Sequence, residues 1–213
     1  MMNENLFIKK GDAMPKSKER CQQIRDEMRS RILEKSLLFF ACNGFAGTKI
    51  SDLSKHIGIA QGTIYRYFES KEELFNEVYK IVDNKHNVKE IKLLSGIPIS
   101  AETKIKRMSS RVLEQIQSNI QFAACVALNT QMMLEEGKEP SSMDTTYKSE
   151  LYLLSSKIFQ QGQKEGSVVD GSVMKLVDYY WGVVYLYALK RLFTSSYEMI
   201  TTEDLTRVVL RGK

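Results

Sequence analysis

The sequence predicts an all-α protein with an amino-terminal three-helix head, built around a helix-turn-helix, and a carboxy-terminal helical body. Only 3 prolines occur in 213 residues, and apolar residues recur at helical spacing along most of the chain. The chain is 43% hydrophobic, which is enough for a sizeable core. We expect a tail over residues 1–18, the head over 19–79 and the body over 80–213.

The amino-terminal tail is predicted to be disordered. Met14 and Pro15 resemble a natural start, so the residues before them could derive from an upstream start codon; the alternative is a basic arm. The first helix is predicted over residues 19–43, because Asn43 and Gly44 form a carboxy-terminal stop signal. Its apolar stripe at helical spacing comprises Ile24, Met28, Ile32, Leu37, Phe40 and Ala41.

Two short helices joined by a tight turn follow, over residues 50–57 and 61–68. Between them, Gly58 suits the left-handed backbone with which a chain often leaves a helix. Thr48 is placed to cap the first helix of the pair, whereas Ala60 gives the second no capping side chain. The residues expected to face the core are Ile50, Leu53, Ile57, Ile64 and Phe68.

The second helix of this pair keeps hydrogen-bonding, aromatic and cationic side chains outside. These outward residues are Gln61, Thr63, Tyr65, Arg66 and Tyr67. Glutamine can pair bidentately with adenine, and Gly62 lets the backbone approach closely. The arrangement is typical of a helix that lies in the major groove of DNA. The alternative role for Tyr65 is half-buried packing, and both roles can hold at once.

A fourth helix is predicted to open with a capping box formed by Ser70 and Glu73 and to run to residue 94, linking head and body. Gly96 and Pro98 end it. The residues expected to face the core of the head are Leu74, Phe75, Val78, Tyr79 and Val82.

The stretch from residue 28 to residue 79 resembles the DNA-binding segment of the tetracycline-repressor (TetR) family of transcriptional regulators. The residues that carry the resemblance are Gly44, Phe45, Thr48, Ile50, Leu53, Gly58, Gly62, Thr63, Tyr65, Tyr67, Phe68, Ser70, Lys71, Glu72, Glu73, Leu74 and Phe75. The resemblance implies contacts to bases and phosphates from Thr48, Gln61, Gly62, Thr63, Tyr65, Arg66, Tyr67 and Lys71, with Lys71 binding a phosphate. One departure is Ala60, where the family often has a serine; it removes a helix cap typically worth ~1 kcal/mol.

The net charge of +5 lies entirely within residues 1–68, because residues 69–213 carry equal numbers of acidic and basic side chains. A positive end on a neutral body suits a protein that binds nucleic-acid phosphates. Alone, the charge would also fit a solvated basic tail; together with the motif it favours DNA. The tail would then be either floppy or an arm that touches the DNA backbone or minor groove.

Other protein classes fit the sequence poorly. No apolar run approaches the ~18 residues of a transmembrane helix, and the first twenty residues lack the apolar block of a secretory signal. Cys21, Cys42 and Cys125 are far apart and odd in number, which argues against a disulfide framework or a zinc site and favours a reducing cytoplasm. Catalytic motifs are absent, so we expect no enzyme activity, no metal and no cofactor.

The body is predicted to contain helices over residues 101–118, 121–136, 144–165, 170–195 and 202–211. The fourth of these is apolar nearly all round and must be covered on two sides. Gly182 permits close helix approach, and Tyr179, Val183 and Leu186 form part of a second face. The resemblance implies that the last two helices pair with those of a second chain; the alternative is a buried helix of a monomer. The predicted dimer residues are Val173, Val177, Tyr180, Val184, Tyr187, Ala188, Leu205, Val208 and Val209.

Aromatic residues and methionines concentrate in the body and suit an adaptable apolar ligand pocket. The candidate pocket residues are Met108, Ile116, Phe122, Met132, Met133, Tyr147, Leu151, Tyr152, Phe159, Tyr180 and Trp181. For each of them, ordinary core packing is the alternative.

Together these features predict a homodimeric repressor that binds a palindromic operator in double-stranded DNA and is released by a small hydrophobic or aromatic ligand. One alternative is a DNA-binding architectural or division-control protein with the same head and no small-molecule effector. Another is a thiol redox sensor acting through Cys42 or Cys125, although both lie in apolar helical contexts typical of packing residues.

Overall fold

The computed structural model describes residues 18–83, 86–136 and 149–212. Over these ranges the regular structure is helical, apart from one isolated β-bridge between Val168 and Leu210, so the predicted all-α class is confirmed. The helices are α1 (Lys18–Gly47), α2 (Ile50–Ile57), α3 (Gln61–Tyr65), α4 (Lys71–Asp83), α5 (His86–Gly96), α6 (Ala101–Ser118), α7 (Ile120–Glu136), α8 (Glu150–Lys164), α9 (Val173–Phe193) and α10 (Thr202–Thr206). No helix among the described residues combines the length and apolarity needed to cross a membrane.

The end of α1 follows the predicted stop signal. Gly44 interrupts the helix with φ 68° and ψ 168°, a backbone conformation that side chains with a Cβ rarely adopt. One further turn, residues 45–47, leads towards α2. The disordered tail predicted for residues 1–17 lies outside the described residues.

A cluster of buried side chains, here called the head core, joins α1, α2, α3 and α4. It is completed by a helix of the body, because Ala124 and Leu128 of α7 are buried in the same cluster. The Gln131 side-chain amide of α7 also donates to the Ala41 carbonyl of α1, 3.2 Å away. The other members of the head core are Ile32, Leu33, Leu37, Phe40, Ala41, Ile50, Leu53, Ile57, Ile64, Phe68, Leu74, Phe75 and Val78.

A second cluster, the body core, joins α5 to α10. A buried lysine lies at its edge: the Lys104 ammonium donates to the Ser95 carbonyl and to the side-chain oxygen of Gln161, each 2.9 Å away. A buried charge is tolerated only when it is hydrogen-bonded in this way. Lys104 therefore ties the end of α5 to α6 and α8.

Several predicted helix boundaries differ from the structure; α9, for example, spans Val173–Phe193 rather than residues 170–195. α3 ends at Tyr65 rather than residue 68, because the Tyr67 amide donates to the carbonyl three residues back, 2.9 Å away, as in a turn. α10 ends at Thr206 rather than residue 211, because the chain folds back and the Arg211 amide donates to the Ser167 carbonyl. α8 begins at Glu150, and residues 144–148 of the predicted helix lie outside the described residues.

The helix predicted to link head and body corresponds to α4 and α5, and residues 84–85 between them lie outside the described residues. Within α4, Leu74, Phe75 and Val78 are buried in the head core as expected, with Val82 packed against it. α5 packs on α6 and α8 in the body. The two helices therefore belong to different cores.

Candidate nucleic-acid interface

The turn between α2 and α3 has the tight geometry that the sequence predicts. Gly58 adopts φ 79° and ψ 39°, and its amide donates to the Ser54 and Lys55 carbonyls at 3.0 and 3.1 Å. This left-handed closure is the one that glycine adopts most cheaply. Ser54 is buried where α2 meets the core, and its hydroxyl donates to the Ser51 carbonyl at 2.9 Å.

Two buried anchors hold α3 on the head core. The side chains of Ile64 and Phe68 are each only 1% exposed. Since these anchors face inward, Gln61 and Gly62 of α3 are exposed, and so is Arg66, the residue just after the helix. The predicted orientation of this helix is what the structure has.

Tyr65, the last residue of α3, and Tyr67, in the turn that follows, have different surroundings. Tyr65 is 46% exposed, whereas Tyr67 is half-buried and packs against the head core, and Thr63 is half-buried as well. The packing role considered for Tyr65 therefore belongs more to Tyr67. A phenol with one buried edge and one exposed edge can position its hydroxyl at a surface with little loss of rotamer entropy.

The prediction that Thr48 caps α2 is wrong. The residue at the cap position is Lys49, which makes no side-chain capping bond. Thr48 is instead buried, and its hydroxyl donates back to the Gly44 carbonyl at 2.7 Å, which closes the turn between α1 and α2. Ala60 does precede α3 without a side-chain cap, as predicted.

The start of α4 is capped in the predicted way with one difference. The Glu73 amide donates to the Ser70 hydroxyl at 3.0 Å, while the Glu73 carboxylate accepts from the Glu69 amide, one residue before the expected one. The carboxylate of neighbouring Glu72 accepts hydrogen bonds from its own backbone amide and from the Ser70 hydroxyl, and these bonds lower its pKa. Two carboxylates in the first turn suit the positive end of the helix.

Lys71, the first residue of α4, turns its side chain back towards the α1–α2 turn. Its ammonium donates to the Phe45 carbonyl at 3.0 Å and to the Thr48 carbonyl at 3.2 Å. The same nitrogen lies 4.2 Å from the centre of the Phe45 ring, within the range of a cation–π contact. Lys71 is therefore bonded within the head.

A charged clamp on α1 braces the anchor of α3. The Arg29 guanidinium lies 5.2 Å from the Phe68 ring centre and pairs with the Glu77 carboxylate of α4. Hydrogen bonds from Lys80 and Arg29 lower the pKa of Glu77. Also on α1, the Arg31 guanidinium donates to the Ile57 carbonyl at the end of α2, 3.1 Å away.

The candidate pocket residues that the structure describes fall in three groups. Met108, Ile116, Phe159 and Tyr180 are buried members of the body core, whereas Phe122, Leu151, Tyr152 and Trp181 are half-buried and pack against it. Met132 packs against the head core instead. The Met133 side chain and Tyr147 lie outside what the structure describes.

Hydroxyl groups line the middle of the body core. The Tyr180 and Ser109 hydroxyls are 3.0 Å apart, and the Trp181 indole donates to the Ser155 hydroxyl at 3.1 Å. Burial raises the pKa of Tyr180, so its hydroxyl stays neutral at ordinary pH. The body core is therefore apolar with a few hydrogen-bonded polar side chains inside it.

The predicted dimer residues lie mostly inside the protomer, and this assignment of the α9 face is corrected. Val177, Tyr180, Val184, Ala188, Leu205 and Val209 are fully buried in the body core. Val173, Tyr187 and Val208 are half-buried. A side chain that has no exposed surface in one chain cannot offer surface to another.

The opposite face of α9 is apolar and open. Tyr179 is 57% exposed and Leu186 49% exposed. They line an open groove of about 610 Å³ whose other lining residues are Asp178, Gly182, Val183 and Val208. The sequence did signal this face, through the apolar residues that do not fit the buried stripe.

Burial argues against a thiol sensor at Cys125, whereas Cys42 is exposed and is not the packing residue that its apolar helical context predicted. Burial raises the pKa of the Cys125 thiol to about 11, and partial burial raises that of Cys42. The thiolate is the reactive form, so the Cys125 thiol is poorly suited to oxidation chemistry.

The head of this chain is similar in sequence to known transcriptional regulators. Residues 32–78 match the family model for bacterial regulatory proteins of the tetR family. Over 93 residues the chain is 26% identical to the HTH-type transcriptional regulator AcrR of Shigella flexneri, covering 44% of this chain and 43% of that protein. Over 96 residues it is 32% identical to the uncharacterized HTH-type transcriptional regulator YdgC of Bacillus subtilis, covering 45% and 47%. The chain thus spans somewhat less than half the length of the curated relatives it matches.

The structural similarity to solved proteins covers more of the chain than the sequence similarity does. The ketosteroid transcriptional regulator KstR2 of Mycobacterium tuberculosis superposes with a TM-score of 0.61 at 18% identity, covering 87% of this chain and 96% of that one. At this identity the likeness shows the fold alone, head and body together. The relatives are transcriptional regulators rather than enzymes, in agreement with the sequence prediction.

Proposed function

Because this chain belongs to the TetR family of DNA-binding transcriptional regulators, we propose that it is a cytoplasmic homodimeric repressor of a palindromic operator, released by a small hydrophobic or aromatic ligand. The observation that carries the proposal is the outward face of α3. Gln61 at its start and Arg66 just after its end are exposed, while Ile64 and Phe68 anchor the helix in the head core. Rigid support is what a recognition helix needs, because base contacts depend on placement within a fraction of an ångström.

The contacts divide by chemistry. Gln61, Thr63 and Arg66 supply base contacts in the major groove, with Gly62 allowing close approach of the backbone. The hydroxyls of Tyr65 and Tyr67 contact phosphates and set the register. Thr48 contributes through the turn that its buried hydroxyl braces.

The dimer forms through the open apolar face of α9. Tyr179 and Leu186 of one protomer would pack against the same face of α9 in the other protomer across a twofold axis. Gly182 leaves room for the two helices to approach closely. Two heads on one dimer would then enter successive major grooves about 10 base pairs apart, or slightly more.

The ligand binds among the aromatic and hydroxyl groups of the body core, where Tyr180 and Trp181 offer apolar faces beside placed hydrogen bonds. Release requires that the ligand bind the DNA-incompetent arrangement more tightly than the DNA-bound one. The coupling is reciprocal, so operator DNA must weaken ligand binding by the same factor.

Selection from random duplexes with the full chain tests the DNA part. We expect a palindrome to be enriched, and Gln61→Ala to relax the preference at one base pair per half-site by about 5–150-fold, because a good bidentate pair discriminates by about 1–3 kcal/mol. Its non-specific affinity should change much less. A selection that enriches no sequence contradicts the function, whereas an unaltered preference in the variant contradicts only the role of Gln61.

Thermal-shift screening with hydrophobic compounds tests the ligand part. A true ligand at about 100 times its Kd stabilises the folded protein by about 2.7 kcal/mol, which raises the melting temperature by about 5–11 °C for a chain of this size. The compound must also release the selected duplex. If no compound does both, the architectural alternative is favoured.

A further inference from the structure

Two adjacent aromatic side chains of α9 end on serines of other helices, and the four side chains are here called the hydroxyl cluster. Tyr180 meets Ser109 of α6, with 3.0 Å between the hydroxyls, and Trp181 meets Ser155 of α8. Tyr180, Ser109 and Ser155 have no exposed surface. The rings of Phe159 and Trp181 lie edge to face with that of Tyr180, at 5.8 and 5.3 Å between centres, so the cluster has apolar walls.

The Trp181–Ser155 pair has an unambiguous direction, because an indole N–H can only donate. The indole nitrogen lies 3.1 Å from the Ser155 hydroxyl oxygen. The single proton of that hydroxyl is directed at the Leu151 carbonyl, 2.8 Å away. Ser155 thus accepts one hydrogen bond and donates one.

The Tyr180–Ser109 pair has the same order. The Ser109 hydroxyl donates to the Ile105 carbonyl at 2.8 Å, and a carbonyl cannot be the donor of that bond. Since a hydroxyl has one proton, Ser109 has none left for Tyr180 and must accept from it. The phenol is therefore the donor of the 3.0 Å bond between them.

Lone pairs are what the hydroxyl cluster can still offer a ligand. Two remain on the Tyr180 oxygen and one on each serine oxygen. A ligand O–H that points at the Tyr180 oxygen adds a hydrogen bond and breaks none. A ligand carbonyl would have to take the phenol proton away from Ser109, so one bond would be lost for each one gained in a buried site.

A charged ligand group suits the hydroxyl cluster no better. Burial raises the pKa of Tyr180, so the phenol is neutral at ordinary pH. A carboxylate would face oxygen lone pairs there, and an ammonium would lose its hydration without gaining a counter-charge from the cluster. The buried Lys104 ammonium could attract a carboxylate at the edge of the core, but it already donates to Ser95 and Gln161.

We propose that the effector is an uncharged apolar molecule that carries a hydrogen-bond donor, such as an alcohol or a phenol, and that the Tyr180 oxygen is the acceptor that recognises this donor. The inference rests on the proposed function, in which a small ligand enters the body core. It goes further by naming the chemical group that the ligand must carry.

Titration of the full chain with 2-naphthol and with its methyl ether, 2-methoxynaphthalene, tests the need for a donor. The two probes share one ring system and one oxygen, and only the first has an O–H. We expect 2-naphthol to bind about 5–10-fold more tightly, through one hydrogen bond to a buried acceptor. In Tyr180→Phe this preference should fall towards equal binding. The control is Tyr197→Phe, which should keep the preference, because the Tyr197 ring lies beside Tyr187 and not in the body core.

Three results of the titration would overturn the inference. The first is an ether that binds as tightly as 2-naphthol, and the second is a preference that Tyr180→Phe leaves unchanged. The third is tighter binding of 2-naphthoate than of 2-naphthol, which would assign recognition to the Lys104 ammonium. If no hydrophobic compound binds at all, the proposed ligand response fails, and the stability of two serine variants still decides the direction of the hydrogen bonds.

Thermal melts of Ser109→Ala and Ser155→Ala test that direction without a ligand. Each substitution removes one hydroxyl from a helix interior, so the gain in helix propensity is the same. Ser155→Ala leaves the Trp181 N–H without its acceptor and so calibrates the cost of a buried, unpaired donor. We expect Ser109→Ala to lower the melting temperature by a similar amount, because it leaves the Tyr180 proton unpaired. A Ser109→Ala protein that melts like the wild type, while Ser155→Ala melts lower, would mean that the phenol does not donate to Ser109 and would overturn the inference.

Discussion

Gly162 of α8 lies against Val168 and Ala101 with no room for a side chain, and Gly162→Ala is expected to destabilise the protein. A Cβ at this position would lie 2.2 Å from Val168 Cγ2 and 3.2 Å from Ala101 Cβ. Val168 cannot easily yield, because it is fully buried and its amide donates to the Gly162 carbonyl at 3.1 Å. The next amide, that of Val169, donates to the Val209 carbonyl at 2.9 Å, so the loop is held on both sides.

The magnitude follows from two opposing effects. Overpacking a close-packed core costs about 1–3 kcal/mol, and a 2.2 Å approach to a side chain that cannot move belongs at the upper end. Alanine returns about 1 kcal/mol through its higher helix propensity. The net loss should be about 2 kcal/mol, which lowers the melting temperature by about 4–8 °C in a chain of this size.

Thermal and urea melts followed by circular dichroism measure this loss. Gly62→Ala is the matched control, since a Cβ there meets nothing within 4 Å, and its stability should not fall. Val168→Ala removes the methyl groups that clash, so the double variant should be more stable than the sum of the two single losses predicts, by about 0.5 kcal/mol or more. A melting temperature of Gly162→Ala at or above the wild-type value would refute this account of the packing.

Two further predictions concern the clamp on the head and the face of α9. Lys80 and Arg29 hold the pKa of Glu77 below its usual 4.5, so its carboxylate stabilises the fold above that pH and loses this contribution as the pH falls. Glu77→Gln should therefore melt lower than wild type at neutral pH and converge with it in acid; a gap that stays constant with pH counts against the clamp. Leu186→Glu should yield folded monomers in sedimentation velocity, with Leu93→Glu, 72% exposed on α5, as the control that stays dimeric. A dimeric Leu186→Glu would place the interface elsewhere.

The head was predictable because its signals are local. The stripe of α1, the Gly58 turn and the Ser70 cap each depend on residues only a few positions apart. Helical periodicity and turn residues can be recognised in the sequence without knowing which elements pack together. The α3 anchors, Ile64 and Phe68, follow from the same pattern.

The parts that sequence reasoning missed depend on distant contacts. Lys71 reads as an ordinary motif lysine, and nothing near it in the sequence shows that its ammonium meets the carbonyls of Phe45 and Thr48, more than twenty residues away. On α9 two apolar faces compete, and the pattern alone cannot tell which one its own chain covers. The face with Val177, Tyr180 and Val184 packs against α6, α7 and α8. Its apolar stripe is the more continuous of the two, so burying it removes more apolar surface from water.

The position of α7 bears on how a ligand in the body could act on DNA. Ala123 of this helix is buried in the body core, while the next residue, Ala124, is buried in the head core together with Leu128. Close-packed side chains on both faces leave little room for α7 to shift without moving both clusters. A ligand that displaces Phe122, which packs against the body core, would therefore press on α1 through α7 as well as on the linking helices. The proposed release from DNA thus has a packed route that bypasses the connection between α4 and α5.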